Sequence, residues 1–281
     1  MNKWLEYLKK NHLSFSSLKL LSTSQWQWWD RYVNGNRDED NKIYFVVGKA
    51  VHWIIEDFNK TGKRLEDKRD KYLDNNLKKE DLDKGKKEFA SALLNYRNTN
   101  PIRADLSEYT LKKKYEYKDK KLKVPLLGII DARKDDILID YKAVASFTDL
   151  VNDGMNKLPI YELQAAYYLL LEELNWTPAE AVKFIEIKKN IPNLMYLRKE
   201  HLLELAWLPA DMRNNKKLTK EKIIEEYNIK PQGTQEIIFK NSSKLMKRIK
   251  SVIEYHIDII EWLSEDTLQI PLWDMFVENN K

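Results

Sequence analysis

The middle of the chain reads Val124-Pro-Leu-Leu-Gly-Ile-Ile-Asp-Ala-Arg-Lys-Asp-Asp-Ile-Leu-Ile-Asp-Tyr-Lys-Ala-Val144. Two apolar segments, 124–132 and 137–144, flank the charged turn Arg133-Lys-Asp-Asp136. Both segments are short, rich in β-branched residues and bounded by turn residues, which indicates the two strands of a hairpin. Just upstream, the alternating segment Tyr109–Tyr117 predicts another strand, so we expect a three-stranded meander.

Three charged side chains interrupt this apolar hairpin: Asp131, Asp140 and Lys142. Residues two apart on a strand share a face, so Asp140 and Lys142 project together. A turn of two or four residues that pairs Asp131 with Leu138 brings Asp131 to the same face, whereas an odd turn does not. Charges on a half-buried sheet are costly unless they are paired or bound to metal. Both a metal site and a plain salt bridge between Asp140 and Lys142 fit this pattern.

An amphipathic helix is predicted upstream, over Ile43–Phe58. It contains Gly48 and His52, and Glu56 follows one turn later on the same face as the imidazole. A histidine on an apolar helix is compatible with a core residue that makes one hydrogen bond. It is also compatible with a nitrogen ligand of a metal ion.

A second helix is predicted downstream, because Pro159 is favoured in a first turn and the apolar pattern continues to Leu174. Gln164 and Tyr168 share one face of it, a pair that by itself indicates ordinary helix surface. The apolar segment Val182–Ile187 predicts a fourth strand. The predicted order is therefore helix, three strands, helix, strand.

This order of elements and residues resembles the PD-(D/E)XK nuclease superfamily, specifically its RecB-like branch. That branch carries Gly-x-x-x-His on a helix, Gly-x-x-Asp and Asp-x-Lys on successive strands, and Gln-x-x-x-Tyr on the next helix. The matching residues here are Gly48, His52, Gly128, Asp131, Asp140, Lys142, Gln164 and Tyr168. The resemblance covers residues 12 to about 190, including the Ser-rich start and aromatic run near the N-terminus. It implies an α/β fold of the restriction-endonuclease type, with an αβββαβ core and a mixed central sheet flanked by helices.

The resemblance also implies a role for each matching side chain. Asp131 and Asp140 are expected to be catalytic residues that hold Mg²⁺ or Mn²⁺, with His52 and the Tyr141 backbone carbonyl as further ligands. Lys142 is expected to orient or help deprotonate the attacking water and to stabilise negative charge.

Three further residues complete the expected site. By the resemblance, Gln164 and Tyr168 hold the DNA or its phosphate near the metal. Glu56 has two open interpretations, either as an outer-shell partner that orients His52 or as an ordinary charge on the helix surface.

Two departures from the branch's pattern bear on the cofactor. Ile130 replaces the usual Pro before the first acidic residue, but that Pro is not a ligand. Iron–sulfur members carry a Cys near the position of Ser24, and this chain contains no Cys at all. We therefore expect no iron–sulfur cluster, disulfide, Cys-ligated zinc or thiol catalysis. With only 4 His available, a metal site must rest mainly on carboxylate oxygens, which favour Mg²⁺ or Mn²⁺.

Length and composition fit one domain. The chain has 281 residues, 43% of them hydrophobic, which excludes global disorder, and its 7 Gly and 8 Pro favour a helix-rich fold. We predict a single nuclease domain over 1–281. Its parts are an N-terminal helical part at 1–42, a core at 43–190 with a charged, solvated helical insert at 59–88, and a C-terminal helical part at 191–281. Within the last part, Gly233–Ser264 is compatible with one long helix.

Charge and aromatic content bear on the partner. The net charge is +5 with a pI near 8.9, and clusters of lysine within 112–123 and 240–250 are either phosphate contacts or ordinary solvated lysines. Trp26, Trp28 and Trp29 are expected mainly in the core, with stacking on unpaired bases as the alternative. We expect DNA as the partner, as single strands or duplex ends, with replication or recombination proteins as further partners.

These observations lead to one expected function and two alternatives. We expect a metal-dependent DNA nuclease, an exonuclease or end-processing enzyme of replication, recombination or repair. The alternatives are a catalytically silent DNA-binding or assembly protein with the same fold, and a helical protein-interaction module. No apolar run is long enough to span a membrane, and the N-terminus has no apolar signal core. We expect a cytoplasmic protein of a bacterium or of a phage-infected cell. The resemblance and the size of the chain are compatible with a phage source.

Overall fold

The computed structural model describes residues 11–36, 42–62, 67–99, 101–117, 120–121, 124–148, 158–190 and 233–265. Its helices are α1 (Phe15–Thr23), α2 (Gln25–Tyr32), α3 (Ile43–Thr61), α4 (Asp67–Asn76), α5 (Leu82–Arg97), α6 (Leu158–Leu174) and α7 (Ser243–Glu265). Its strands are β1 (Leu106–Lys113), β2 (Glu116–Tyr117), β3 (Lys120–Lys121), β4 (Leu126–Lys134), β5 (Ile137–Val144), β6 (Ala181–Lys188) and β7 (Thr234–Lys240).

Five of these strands form one mixed sheet in the order β1-β4-β5-β6-β7. β1, β4 and β5 are antiparallel neighbours, which confirms the predicted meander. The chain then crosses through α6 and returns as β6, which pairs parallel to β5. β7 closes the far edge antiparallel to β6, so an α/β fold with a mixed central sheet flanked by helices is confirmed.

The sheet lies between two layers of helix. On one face, apolar residues of β4, β5 and β6 pack with α6, α7, α1 and α2, and this core contains Trp28, Tyr167 and Phe184, each fully buried. On the other face, Ala132, Tyr141 and Ile187 pack with α3, α4 and α5. β4 therefore contacts α3 in one layer and α6 in the other.

The prediction of one helix over Gly233–Ser264 is wrong at its beginning. Thr234–Lys240 is instead strand β7, and the helix begins at Ser243. The run Ile237-Ile-Phe239 has high β-propensity and pairs with β6, and Ser242 then accepts a hydrogen bond from the backbone N–H of Leu245 at 3.3 Å, as a cap does. The helical periodicity begins only after that cap, at Leu245, and does not include the residues of β7.

Two other boundaries differ from the sequence prediction. The predicted strand Tyr109–Tyr117 is split into β1, which begins earlier at Leu106, and β2, which pairs with β3 in a separate small hairpin. The charged insert at 59–88 holds the end of α3, all of α4 and the start of α5. It is anchored by Leu73 and Leu77, which are buried against α3 and α5, because even a highly charged helix needs one apolar face to pack.

Several predictions concern residues outside the described ranges. Residues 191–232 and 266–281 of the predicted C-terminal part fall there, as do 1–10 and 37–41 at the other end, so the division into three parts stays a prediction. Among the described residues, no helix is long and apolar enough to cross a membrane.

Candidate active site

The site lies where β4 and β5 separate. Their pairing runs from Lys134 with Ile137 to Ala132 with Ile139 and ends there, just before Asp131. The predicted pairing of Asp131 with Leu138 is therefore wrong by two residues, because the tight turn is Asp135-Asp136, where Asp135 has the left-handed φ of 52° that aspartate tolerates. A register shift of two residues does not change which face of the strand a side chain is on, so the predicted alternation still holds.

The sheet is also irregular at Asp131 itself. Ile130 packs in the core beside α6 whereas Ala132 packs in the core beside α3, although residues two apart on a regular strand share a face. Glu108 on β1 lies across from this position and has a φ of 44°, in the left-handed region that non-glycine residues rarely adopt. The irregularity, more than strand alternation alone, places Asp131 at the opening between β4 and β5.

Beyond the end of the β4–β5 pairing, the side chain of Asp131 accepts a hydrogen bond from the backbone of β5. Its Oδ2 accepts from the backbone N–H of Tyr141 at 2.8 Å and lies 3.5 Å from His52 Nδ1. Burial by itself would raise the pKa of Asp131, but the positive His52 imidazolium and the Lys142 ammonium outweigh it, and the pKa is lowered. For the same reason the pKa of His52 is raised, because the attraction of Asp131 exceeds the cost of burying the imidazolium.

Asp140 is held in a different environment. It is 3% exposed, and its Oδ1 accepts from Gln164 Nε2 at 3.0 Å and from the Tyr168 hydroxyl at 3.2 Å. Gln164 also donates to the Tyr168 oxygen at 2.8 Å, so the two side chains brace each other on α6. Burial raises the pKa of Asp140, only partly opposed by the ammonium of Lys142.

Lys142 neutralises Asp140 across a short distance. Its Nζ lies 2.6 Å from Asp140 Oδ2, and its side chain keeps about 30% of its surface exposed. Burial alone would lower the pKa of Lys142, but Asp140 and Asp131 together raise it, so the ammonium stays charged. Asp140 Oδ2 is nevertheless buried without any hydrogen bond of acceptable geometry.

That oxygen is the observation that bears on a metal ion. Asp140 Oδ2 has the Lys142 ammonium as its partner and no regular hydrogen bond, and with Asp131 and the His52 imidazole it offers carboxylate and nitrogen donors. Mn²⁺ takes both kinds of donor, and Mg²⁺ prefers the oxygens. The residues thus fit a divalent cation in donor chemistry. Among the described residues, however, no three His, Cys, Asp or Glu side chains are already grouped closely enough to hold a metal. Lys142 is ion-paired with Asp140 Oδ2, so metal binding there would require the ammonium to move aside.

The remaining predicted residues have the following contacts. Gln164 and Tyr168 both donate hydrogen bonds to Asp140, and their predicted contact with DNA stays a prediction. Glu56 pairs with Lys60 one turn along α3 and with the carboxyl group of Glu108. Its role as a partner of His52, like the ligand role of the Tyr141 carbonyl, stays a prediction.

Glu108 is a site residue that the sequence did not reveal. It lines the same cavity as His52 and Asp131, and its hydrogen bond with Glu56, together with burial, raises its pKa. In the sequence it lies just before the predicted strand, in Ser107-Glu108, and resembles any solvated charge. Only its left-handed φ, which no sequence pattern signals for a glutamate, marks it.

Two cavities meet at Lys142, which lines both of them. The larger has a volume of about 780 Å³ and lies against α3, with lining residues that include Tyr44, Phe45, His52, Glu56, Glu108 and Asp131. The smaller has a volume of about 550 Å³ and lies between the start of α1 and α6, with lining residues that include His12, Ser16, Lys19, Gln164 and Tyr168. A polymer passing over Lys142 would have space on both sides.

The two motif glycines have different structural roles. A Cβ at Gly128 would meet Leu171 Cδ1 at 2.6 Å and the Tyr168 ring at 3.5 Å, so glycine gives α6 room to lie close to β4 without a shift of the Leu171 side chain. A Cβ at Gly48 would have nothing within 4 Å, because that residue borders the larger cavity.

Comparison with known proteins gives one family. The family model of the PD-(D/E)XK nuclease superfamily matches residues 12–256 of the chain. No curated protein is similar enough in sequence to count as a relative.

Two solved structures are similar over most of the chain. A candidate exonuclease from Eubacterium rectale has a TM-score of 0.49 at 10% identity, over 89% of this chain and 79% of that one. A phage-related exonuclease from Haemophilus somnus has a TM-score of 0.37 at 16% identity, over 92% of this chain and 99% of that one. At such scores neither bears on function, which rests on the family match and the site.

Proposed function

The chain belongs to the PD-(D/E)XK nuclease superfamily, and from that premise we propose that it is a divalent-metal-dependent deoxyribonuclease of the RecB-like type. The observation that carries this proposal is the meeting of Asp131, Asp140 and Lys142 with His52 at one opening between two strands. Each of the four lies in a motif of the branch. Carboxylate donors for a metal ion and a charged ammonium beside them are groups that phosphodiester hydrolysis with a metal uses.

Each side chain has a task in this mechanism. Asp131, Asp140 and His52 would hold a divalent cation, which supplies Lewis-acid stabilisation and an activated water when bound. The Lys142 ammonium is charged, so it is suited to orient the attacking water and to stabilise negative charge on the phosphate oxygens. It must first lose its proton to act as a base.

Gln164 and Tyr168 act in this proposal mainly through Asp140. Their two hydrogen bonds to Oδ1 fix the carboxylate, which leaves Oδ2 to the Lys142 ammonium. They also line the smaller cavity, from which a DNA strand would reach Lys142.

The finer assignments rest on the resemblance to the RecB-like branch alone. They are an exonuclease or end-processing activity, a role in replication, recombination or repair with proteins of those processes as partners, a phage source and a cytoplasmic place of action. The basic net charge of +5 supports only the choice of a polyanionic substrate.

The test is cleavage of a labelled oligonucleotide with Mg²⁺, with Mn²⁺ and with EDTA. The proposal expects products only with a divalent ion, and product formation slower by about 100-fold or more from Lys142→Ala under the same conditions. Lys183→Ala is the matched control, because Lys183 lies on the neighbouring strand β6 and pairs with Glu236 away from the site. Metal-independent binding without cleavage by the wild type would favour the silent DNA-binding protein instead.

A further inference from the structure

Aromatic side chains line the larger cavity beside the candidate metal ligands. Tyr44 and Phe45, in the first turn of α3, are 48% and 49% exposed, with ring centroids 4.5 Å apart. Further along α3, the Trp53 ring lies edge-on to Tyr72 of α4 at 4.5 Å. We call these four residues the aromatic platform. The Lys49 ammonium adds a positive charge 5.4 Å from the Trp53 ring centroid.

The aromatic platform follows the same side of α3 as the imidazole. Phe45, Lys49 and His52 are spaced by four and three residues, which places them on one helix face. His52 follows Phe45 by seven positions, about 10 Å along the helix axis. Between them lies Gly48, where a Cβ would meet nothing within 4 Å, so open space connects the rings with the metal ligands.

Tyr44 and Phe45 are exposed next to the site, whereas Trp53 and Tyr72 are half-buried. The large rings of Trp28, Tyr167 and Phe184 are fully buried in the core. Trp176 and Tyr255 are exposed as well, but neither lines the cavity at the site. Clustered apolar surface rimmed by charged groups marks a place where something binds.

The neighbouring chemistry selects the occupant. A phosphate bound to a metal ion held by His52, Asp131 and Asp140 would bring the attached nucleotides over the larger cavity. Inside a duplex the faces of the bases are covered by their neighbours, so an aromatic ring away from the duplex end can stack only on a base that has left the helix. Lys49 adds attraction for the backbone of such a strand.

We propose that the aromatic platform stacks on unpaired nucleobases next to the reacting phosphate, so that the enzyme acts on single-stranded DNA or on unpaired ends. This assignment rests on the proposed nuclease function and adds the form of its substrate. It replaces Trp28 and Trp29 as stacking candidates, because Trp28 is fully buried and Trp29 packs against the core.

The test compares Tyr44→Ala, Phe45→Ala and the double variant with the wild type on a single-stranded oligonucleotide and on a blunt duplex of the same sequence. We expect kcat/KM on the single strand to fall about tenfold or more in the double variant, with little change on the blunt duplex. The conservative variants Tyr44→Phe and Phe45→Tyr should keep the wild-type rate on the single strand, because either ring can stack.

An abasic nucleotide makes the test specific for stacking. Removing the base next to the cleaved bond should slow the wild type as much as Phe45→Ala does, and should slow Phe45→Ala no further. Tyr255→Ala is the matched control, since that ring is 63% exposed on α7. Trp26→Ala, 44% exposed on α2, tests the remaining aromatic of the N-terminal run. Melting curves verify that each variant is folded.

Two results would overturn the inference while leaving the nuclease function intact. One is a double variant that cleaves single strands at the wild-type rate. The other is an abasic nucleotide that slows cleavage by Phe45→Ala by the same factor as it slows cleavage by the wild type. A wild type that cleaves nothing with any metal would instead reject the proposed function. In that case, quenching of a 2-aminopurine oligonucleotide by the wild type but not by the double variant still supports the aromatic platform, and equal quenching rejects it.

Discussion

Asp131 and Asp140 lie next to each other in space and have opposite pKa shifts. The pKa of Asp131 is lowered because His52 and Lys142 outweigh its burial, whereas burial prevails at Asp140 and raises its pKa. The first carboxylate is therefore stable as an anion, and the second depends on the Lys142 charge or on a metal to remain one. Metal binding at the site therefore depends on what lies beside the Asp140 carboxylate and keeps it charged.

Removing either carboxylate should abolish cleavage and spare DNA binding. Asp131→Ala and Asp140→Ala each lose a proposed metal donor, and neither side chain needs to touch the phosphate backbone. Loss of a negative charge should even strengthen binding slightly, because it reduces repulsion of the phosphates. The measurement is cleavage with Mg²⁺ alongside a fluorescence-anisotropy titration with oligonucleotide. Substantial Mg²⁺-dependent activity in both variants would contradict the metal assignment.

Lys142→Ala should lower turnover by about 100-fold or more, because the ammonium acts on charge that develops in the transition state. Metal affinity should stay the same or rise, since Lys142 competes with a cation for Asp140 Oδ2. Calorimetric titration with Mn²⁺ checks the second part. A collapse of metal affinity would mean that Lys142 serves mainly to hold Asp140 in place.

His52→Gln separates the ligand and core interpretations of the histidine. His52 keeps about 33% of its side-chain surface exposed and contacts Asp131, so its replacement should cost little stability in metal-free protein. Mn²⁺ should raise the melting temperature of the wild type more than that of the variant, because a ligand stabilises the state it binds. Equal shifts in the two proteins would remove His52 from the site.

At the scale of single elements, α3 serves both the core and the site. Val47, Ile54 and Ile55 pack it onto the sheet, and its other side carries Phe45 and His52 along the larger cavity. One helix thereby fixes the distance between the aromatic platform and the proposed metal ligands.

Gly48→Ala tests the open side of α3. The added methyl group meets no atom within 4 Å and replaces the flexible glycine in a helix, so we expect about 0.5–1 kcal/mol of added stability. The same methyl group projects toward the cavity, and cleavage should become slower through a raised KM. Thermal unfolding and steady-state kinetics give the two answers; a destabilised variant would show that the space beside Gly48 is closed in solution.

The contact of α1 with α7 should make stability depend on pH. His256 on α7 is 2% exposed, with Nδ1 2.5 Å from the Val252 carbonyl and Nε2 2.9 Å from Ser22 Oγ on α1. Burial lowers the pKa of His256, although the Val252 carbonyl partly opposes this. The unfolded chain thus binds a proton more readily, and this contribution to stability, present above the ordinary histidine pKa, is lost as the pH falls through it.

His256→Gln is the variant that isolates this effect. Glutamine keeps a hydrogen-bonding group but does not titrate. Between about pH 8 and about pH 5 its free energy of unfolding should fall less than that of the wild type. Parallel curves for the two proteins would show that other groups carry the acid sensitivity.

At the scale of the whole molecule, the regular elements followed from the sequence and the irregular ones did not. The apolar runs of β4, β5 and β6 and the periodicity of α6 fixed their positions, because each buries a repeating face. Strand β7 was missed because its run Ile237-Ile-Phe239 directly precedes a strongly periodic helix. The register at Asp131 was missed because the φ of 52° at Asp135 sets the turn, and no composition rule specifies it.

The candidate site was foreseeable in its residues and not in its contacts. The four motifs located His52, Asp131, Asp140 and Lys142, because their spacing matches the branch. Glu108 and the aromatic platform left no such signal, since both depend on how α3 and β1 meet in space. The hydrogen bonds of Gln164 and Tyr168 to Asp140 likewise depend on the close approach of α6 at Gly128.

The central claim is that these two layers of helix and one sheet hold a divalent cation at the opening between β4 and β5. Anomalous diffraction from a crystal soaked in Mn²⁺ tests it most directly. The account predicts an anomalous peak within bonding distance of Asp131 and Asp140, with the His52 imidazole turned toward it and Lys142 Nζ displaced from Asp140 Oδ2. A fully soaked crystal with no peak there, or with its peak between Glu56 and Glu108 and the Lys142–Asp140 pair intact, would contradict it.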